Sequence, residues 1–271
     1  MSTRFFIASG CGIATTTRYR CIHLQEQLQQ LGFAAEVAEW FDDSKVDPVR
    51  PLDFDVLILY RLAFSPRLDR LISEARRLRK IVLFDTDDLI FEPELIGAHR
   101  GVKNLTSEDQ VRHADGVRRY LATLEACDAA ITATPLLAQL ATTHGKRAFV
   151  HRNALGREML ALADELYAAR GQRAAGEQIV LGYGSGTPTH DVDFLEAAGA
   201  LARVLSRFPQ VELWIVGPLK LSAALERREG ARVHLFPATG WAEWFGVASQ
   251  MDIAIAPLER DNIFCRAKSE V

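Results

Sequence analysis

Short apolar runs of strand type alternate with helical patterns along almost the whole chain of 271 residues. This alternation is typical of parallel sheets covered by helices, because each parallel strand needs a crossover that returns the chain to the same edge of the sheet. It predicts an α/β fold with two Rossmann-like sheets. The predicted strands are residues 4–9, 55–60, 80–84, 129–134, 149–152, 178–183, 212–216, 233–236 and 253–256. The predicted helices are residues 18–31, 66–78, 106–125, 135–142, 191–207, 220–228 and 241–249, the first capped by Thr17 and stopped by Gly32.

A polar stretch flanked by glycines, residues 171–176 (GQRAAG), is the predicted domain boundary. We therefore expect an N-terminal domain over residues 1–170 and a C-terminal domain over residues 171–271. The second domain is expected to be truncated, since residues 267–271 have the pattern of a helix that ends after one turn. A single turn can neither bury a face nor satisfy its own backbone groups.

Two predicted strands of the second half end in glycine before a helical pattern begins. They occur in residues 179–193 (IVLGYGSGTPTHDVD) and 213–217 (LWIVG). Glycine lets backbone N–H groups approach a ligand closely, and a helix start presents further N–H groups to an anion, so a nucleotide diphosphate would fit here. These segments are equally typical of ordinary strand-to-helix turns. Neither a G-x-G-x-x-G fingerprint nor a Walker loop is present.

The overall charge and the cysteines limit the class of protein. A formal net charge of −3 argues against a nucleic-acid partner. The four cysteines are scattered without a C-x-x-C pair, which suggests reduced thiols in a cytoplasmic protein rather than a disulfide framework or a metal site. The sequence contains no signal-peptide pattern and no apolar run of the roughly 18 residues that span a bilayer. A peripheral membrane contact is left open.

Three aspartates, Asp85, Asp87 and Asp88, come at the end of an apolar run. Such carboxylates could bind Mg²⁺, or Asp85 and Asp87 could be the nucleophile and acid of a haloacid-dehalogenase-like phosphatase. The favoured interpretation is that they line a cleft between domains or cap the next segment. In the first helix, one of Arg18 and Arg20 could reach a phosphate or an anionic acceptor, although a solvated helix start is the more ordinary explanation.

Several motifs together resemble the retaining glycosyltransferases of the GT-B fold, in particular the large family-4 group of bacterial polysaccharide biosynthesis. The stronger ones are residues 182–191 (GYGSGTPTHD), 214–217 (WIVG), 252–259 (DIAIAPLE) and 262–270 (NIFCRAKSE). The weaker ones are residues 17–20 (TRYR), 84–89 (FDTDDL) and 152–153 (RN).

The resemblance implies a nucleotide-sugar donor held by the second domain and a glycan or lipid-linked acceptor facing the first, with neither cofactor nor metal. Donor contacts are then expected from Gly184, Ser185, Gly186, Thr187, His190, Gly217, Phe236, Pro237 and Asn262. The acceptor-side candidates are Arg18, Arg20, Asp85 and Asp88, and the catalytic candidates are Lys268, Glu270 and Asp87.

One position departs from the family pattern. Glu270 matches the second glutamate of the family's E-x7-E motif, but Asn262 stands where the first glutamate is expected. The family's arginine and lysine that clamp the diphosphate have no clear counterparts either. We therefore expect a hexosyltransferase, and keep as the alternative a non-catalytic GT-B remnant that binds nucleotide or a partner protein.

Overall fold

The computed structural model describes residues 2–40, 48–170, 178–186, 191–227 and 231–268. These residues divide into two compact units. The first unit takes in the described parts of Met1–His99 and Leu105–Gly156, together with residues 266–268. The second takes in Arg100–Asn104 and the described parts of Arg157–Cys265, so that residues 157–170, assigned above to the first domain, lie in the second unit.

The first unit is built on a six-stranded sheet in which every neighbouring pair is parallel. Its strands are β1 (Arg4–Ser9), β2 (Ala34–Glu39), β3 (Val56–Tyr60), β4 (Ile81–Thr86), β5 (Ala129–Thr132) and β6 (Arg147–Val150), in the spatial order β2-β1-β3-β4-β5-β6. All five residues of β3 are buried, as a central parallel strand covered on both faces requires.

Several strands of this sheet differ from the sequence prediction: β5 ends at Thr132 instead of 134, and β6 spans Arg147–Val150 instead of 149–152. Two larger differences concern β2 and β4. The strand β2 was not predicted, because its sequence AAEVAE has little apolar character, and its position at the sheet edge explains why it needs little. The strand β4 continues two residues beyond the predicted end and therefore includes Asp85. Parallel pairing with β5 continues from Leu83 to Thr86, which keeps Asp85 in the extended ladder.

Helices and short helical turns connect the strands of the first unit. They are α1 (Ala14–Thr17), a π-helical segment (Arg18–Ile22), α2 (His23–Gln30), α3 (Pro66–Arg77), α4 (Ser107–Ala126), α5 (Pro135–Thr143), and the 3-10 segments Arg50–Asp53 and Pro93–Ala98. The predicted cap at Thr17 is wrong, since the helix begins at Ala14. The Thr17 hydroxyl instead bonds Ser9 Oγ at 2.8 Å and donates to the Cys11 carbonyl at 3.2 Å. The predicted stop at Gly32 is confirmed: its φ of 84° is the left-handed conformation that glycine adopts at helix ends.

The second unit contains a four-stranded parallel sheet in the order β10-β7-β8-β9. Its strands are β7 (Ile179–Gly184), β8 (Val211–Val216), β9 (Val233–Phe236) and β10 (Ile253–Ala254). The helices are α6 (Arg157–Ala169), α7 (Asp191–Arg207), α8 (Ala223–Glu226) and α9 (Trp241–Ala248), with the 3-10 segment Arg100–Asn104; the short helix α10 (Ile263–Ala267) crosses from the second unit into the residues grouped with the first.

The apolar face of α7 packs on this second sheet. Phe194 is fully buried, and its ring centroid lies 4.8 Å from that of Tyr183 on β7. Leu201 and Leu205 of the same helix join the core with Leu213 of β8. Because all four strands are parallel, their carboxyl ends meet at one edge of the sheet, which is where parallel sheets carry binding sites.

Candidate functional site

The turns after β7 and β8 touch each other at the carboxyl edge of the second sheet. The Ser185 amide donates to the Val216 carbonyl at 2.7 Å, and the Ser185 hydroxyl donates to the Pro218 carbonyl at 2.5 Å. Gly217 has a φ of 95°, and a Cβ atom at this position would lie 2.0 Å from the Ser185 carbonyl oxygen. Glycine at position 217 is therefore required by the backbone itself.

The glycines of the turn after β7 have different structural roles. A Cβ on Gly184 would approach the indole ring of Trp244 to 2.8 Å, so packing accounts for this glycine. Among the described residues, a Cβ on Gly186 would meet nothing within 4 Å, and the φ of Gly186 is not left-handed. Packing thus explains Gly184 and Gly217 but not Gly186, whose open surroundings would let a ligand approach the backbone. Thr187 and His190 lie outside the described residues.

The remaining donor-side candidates lie near the ends of β9 and of the chain. The Phe236 ring packs on Trp214 with 5.3 Å between centroids, and Pro237 follows it. Asn262 begins α10, since its Oδ1 accepts from the Phe264 amide at 3.0 Å. Its Nδ2 donates to Glu259 Oε1 at 2.9 Å. Asn262 therefore has a structural use in addition to the predicted sugar contact.

Three buried side chains of the second unit could in principle hold a metal ion. Asp193, Glu259 and Cys265 bring one potential ligand atom each within 4.8 Å of one another. Hydrogen bonds already connect them: Asp193 Oδ1 accepts from the Cys265 thiol at 3.0 Å and from the Glu259 amide at 3.2 Å. A hydrogen-bonded core cluster accounts for this arrangement.

A buried ion pair lies at the carboxyl edge of the first sheet. Arg20 is 1% exposed, and its Nε donates to Oδ1 of the fully buried Asp85 at 2.7 Å. The same guanidinium donates to the His151 carbonyl and to Asn153 Oδ1, the latter at 3.2 Å. The interpretation of Arg20 as part of a solvated helix start is therefore wrong. Arg20 joins the first helical segment to β4 and to the chain that follows β6.

A second arginine holds the other two aspartates. Arg61 Nε donates to Asp87 Oδ1 at 2.8 Å, and Arg61 Nη2 donates to Asp88 Oδ2 at 2.5 Å. Asp87 also accepts from the Tyr60 hydroxyl at 2.8 Å and from Asn153 Nδ2 at 3.1 Å. Neither Asp85 nor Asp87 is thus placed as an open metal ligand or a phosphatase nucleophile. The Thr86 hydroxyl stabilises the turn after β4 by accepting a hydrogen bond from the Asp88 amide. The predicted capping of this segment by the aspartate side chains is therefore wrong.

Burial and the two arginines shift the pKa values of these groups in opposite directions. Burial raises the pKa of Asp85 to about 6, against the pull of the Arg20 guanidinium. Burial also acts to raise the pKa of Asp87, but Arg61 and the hydrogen bonds to this carboxylate outweigh it and lower the pKa. Burial raises the pKa of Tyr60, so its hydroxyl keeps its proton and donates. The result is a neutralised charge network with fixed donor directions.

The structure also places the other catalytic and acceptor-side candidates. Arg18 is half-buried, while Arg20 two residues later is fully buried. Lys268 is grouped with the first unit. The pKa of His99 is lowered mainly by burial, and the charge of Lys268 contributes to lowering it. Glu270 lies outside the described residues.

Sequence reasoning missed Arg61 and Tyr60. Their position directly after an apolar strand was the available signal, because the carboxyl end of a buried parallel strand is where functional groups collect.

Comparisons with solved structures define the fold as one shared by GT-B-type glycosyltransferases and by epimerases that resemble them. The catalytic domain of starch synthase IV from Arabidopsis thaliana, bound to ADP and acarbose, matches with a TM-score of 0.53 and 12% identity over 93% of this chain and 77% of that one. UDP-GlcNAc 2-epimerase from Neisseria meningitidis, bound to UDP-GlcNAc, matches with a TM-score of 0.52 and 9% identity over 94% and 77%. An α-glucosyltransferase in complex with UDP and DNA matches with a TM-score of 0.52 and 11% identity over 94% and 71%.

No protein-family model matches the chain, and neither does any curated protein. At these identities the structural likeness establishes the α/β fold with parallel sheets and nothing finer. Within the described residues, the helices are all too short or too polar to cross a membrane.

Proposed function

We propose that this chain is a glycosyltransferase that moves a hexosyl group from a nucleotide-diphosphate sugar to a glycan or lipid-linked acceptor, with retention at the anomeric carbon and without a metal. The observation that carries the proposal is the glycine-lined edge of the second sheet, where Gly186 has no packing reason to be glycine. The three solved structures described above contain ADP, UDP-GlcNAc or UDP on the same fold, which supports a nucleotide ligand here.

In this proposal the C-terminal part of the chain, residues 171–271, binds the donor. Backbone groups of Gly184–Gly186 and Gly217 lie along the diphosphate, and Thr187 and His190 continue that contact. Phe236 and Pro237 border the base, while Asn262 and Glu270 contact the sugar or ribose. Charge develops on the diphosphate as the glycosidic bond breaks, and amides together with Lys268 stabilise it in the transition state.

The first unit is proposed to serve the acceptor. Arg18 and Asp88 are the half-buried acceptor-side groups, whereas Arg20 and Asp85 are buried and act by holding the neighbouring backbone. Asp87 was a catalytic candidate, but it is 7% exposed and held by Tyr60, Arg61 and Asn153. We therefore assign Asp87 a positioning role in which it orients Arg61.

Calorimetry with UDP, GDP, dTDP and ADP, with and without Mg²⁺, tests the donor site. The informative variant is Gly186→Asp, which adds a negative charge to the turn without a steric conflict. We expect it to weaken binding of the preferred diphosphate at least tenfold. The matched control is Gly97→Asp, an equally open and exposed glycine of the first unit. Equal affinities for the two variants would refute the placement of the diphosphate.

The reaction itself is tested by proton NMR on the preferred nucleotide sugar. Transfer to added acceptor with an unchanged anomeric configuration supports the proposal. Because UDP-GlcNAc 2-epimerase shares the fold, the parallel experiment incubates UDP-GlcNAc alone. Conversion to its C2 epimer without acceptor would make this chain an epimerase. Nucleotide binding without either reaction would favour the non-catalytic alternative.

A further inference from the structure

A cavity of about 140 Å³ lies in the first unit, at the carboxyl ends of β1 and β3. The side chains that matter for its chemistry are Trp40, Arg61, Arg119 and Tyr120. The connection that leaves β1 runs to β2 on one side, and the connection that leaves the adjacent β3 runs to β4 on the other side. This is the topological switch point of the sheet, where open parallel sheets bind their ligands.

The size of the cavity limits the ligand to one ring. A cavity of roughly 150 Å³ in another protein holds a benzene molecule, so about 140 Å³ admits the six atoms of one ring, and the outer substituents of that ring would extend through the open side of the cavity. A nucleoside diphosphate is far larger. The cavity is therefore suited to one terminal group of a larger molecule.

The lining favours a ring that carries hydroxyl groups. Trp40 and Tyr120 supply aromatic surface, and the guanidinium groups of Arg61 and Arg119 supply N–H donors without acceptors. A sugar ring offers apolar C–H faces to the first pair and hydroxyl oxygens to the second. The same lining would leave a purely apolar ring with unsatisfied donors.

The surrounding charges favour a neutral ring over an anionic one. Arg61 forms ion pairs with both Asp87 and Asp88. Arg119 Nη1 lies 3.9 Å from Asp115 Oδ2, and its Nε donates to the Phe64 carbonyl. Both arginines that line the cavity thus have a carboxylate close by, which reduces the attraction of these two charges for an anion.

The backbone at Arg61 is held in an unfavourable conformation. Its φ of 47° is left-handed, a conformation that L side chains other than glycine rarely adopt because of steric strain. Its amide donates to the Asp85 carbonyl at 3.0 Å, and Gly10 packs so closely that a Cβ there would lie 2.3 Å from the Arg61 carbonyl oxygen. The surrounding residues therefore fix the direction in which the Arg61 side chain extends from the backbone.

We propose that this cavity is the acceptor subsite and takes one uncharged sugar ring of the acceptor. Arg61 and Arg119 donate to its hydroxyl oxygens, and Trp40 and Tyr120 cover its apolar faces. The inference rests on the proposed glycosyltransferase function and narrows its acceptor to a glycan or glycolipid with a neutral hexose at the reacting end.

Saturation-transfer NMR titrations with methyl glucoside, methyl galactoside and methyl mannoside test the subsite in the absence of nucleotide. At least one glycoside is expected to bind the unaltered chain. Arg119→Ala should weaken this binding at least tenfold, whereas Arg118→Ala, an exposed arginine next to it that does not line the cavity, should leave it unchanged. Ala63→Leu, which fills the cavity from its wall, should abolish binding and gives a second test if Arg119→Ala fails to fold.

Three results would overturn the subsite. The first is that no glycoside binds. The second is that Arg118→Ala and Arg119→Ala bind equally well and Ala63→Leu still binds. The third is that methyl glucuronide binds more tightly than every neutral glycoside. Calorimetry with nucleotide diphosphates on the same samples separates the two proposals. If nucleotide binds but no glycoside does, only the subsite fails; if a glycoside binds at the cavity but no nucleotide binds, the glycosyltransferase proposal fails instead.

Discussion

Replacing Arg20 with leucine should test how the buried charges of the first unit are balanced. Arg20→Leu leaves an apolar side chain in the same place but removes the hydrogen-bonding partner of Asp85. The Asp85 side chain is fully buried. Breaking a buried ion pair by removing one member costs about 3–5 kcal/mol, because the remaining charge is uncompensated. That loss is a large share of the 5–15 kcal/mol by which a domain is typically stable.

The loss should depend on pH, with a sign set by Asp85. Burial already raises its pKa from 3.8 to about 6 with Arg20 present, which corresponds to about 3 kcal/mol. A folded-state pKa above the unfolded value favours the folded state at low pH. Stability is therefore lost as pH rises from about 4 through the folded pKa. Without Arg20 this pKa rises further, so the deficit of Arg20→Leu should be small near pH 4 and largest near pH 8.

Urea unfolding of the unaltered chain, Arg20→Leu and Arg20→Leu/Asp85→Asn at pH 4 and pH 8 measures this. The double variant removes both charges and should recover much of the loss at pH 8. The control Arg18→Leu, a half-buried arginine two residues away, should change the free energy of unfolding by less than about 1 kcal/mol. A deficit that does not change with pH, or no recovery in the double variant, would refute the assignment of the cost to Asp85.

Three further predictions concern the second unit and the end of the chain. Gly217→Ala should lower the free energy of unfolding by at least about 2 kcal/mol in denaturant titrations, because its Cβ would meet the Ser185 carbonyl, whereas Gly186→Ala should change it by less than about 1 kcal/mol. Lys268→Ala should lower turnover more than it lowers the melting temperature, and unchanged turnover would rule out its role at the diphosphate. Asn262→Ala should cost about 1 kcal/mol through the lost cap of α10. Asn262→Glu should also destabilise, because it brings a carboxylate to Glu259; higher turnover in that variant would show instead that the site works better with the family's glutamate.

The fold class follows from local pattern alone. Runs such as VLILY at residues 56–60 are too apolar for a solvated strand, and the helical patterns between them leave parallel pairing as the simplest arrangement. The buried strands were predicted from their strong apolar pattern. The strand β2 was not predicted, because an edge strand buries little and has a weak apolar pattern.

The donor-side turns were found from glycine, but their separate roles were not. Spacing placed Gly184, Gly186 and Gly217 together after strands. It could not show that a side chain at Gly217 would meet the Ser185 carbonyl, whereas one at Gly186 would meet no described atom within 4 Å, because this difference depends on contacts between residues far apart in the sequence.

By itself, the sequence determined an α/β chain of parallel strands with glycine turns at their carboxyl ends, since periodicity and backbone freedom are local properties. Only the tertiary structure decided that Arg20 is buried against Asp85, that Arg61 holds Asp87 and Asp88, and that a cavity opens between β1 and β3. The energy of a charge is set by its burial and by its nearest opposite charge, and both depend on residues far apart in the chain.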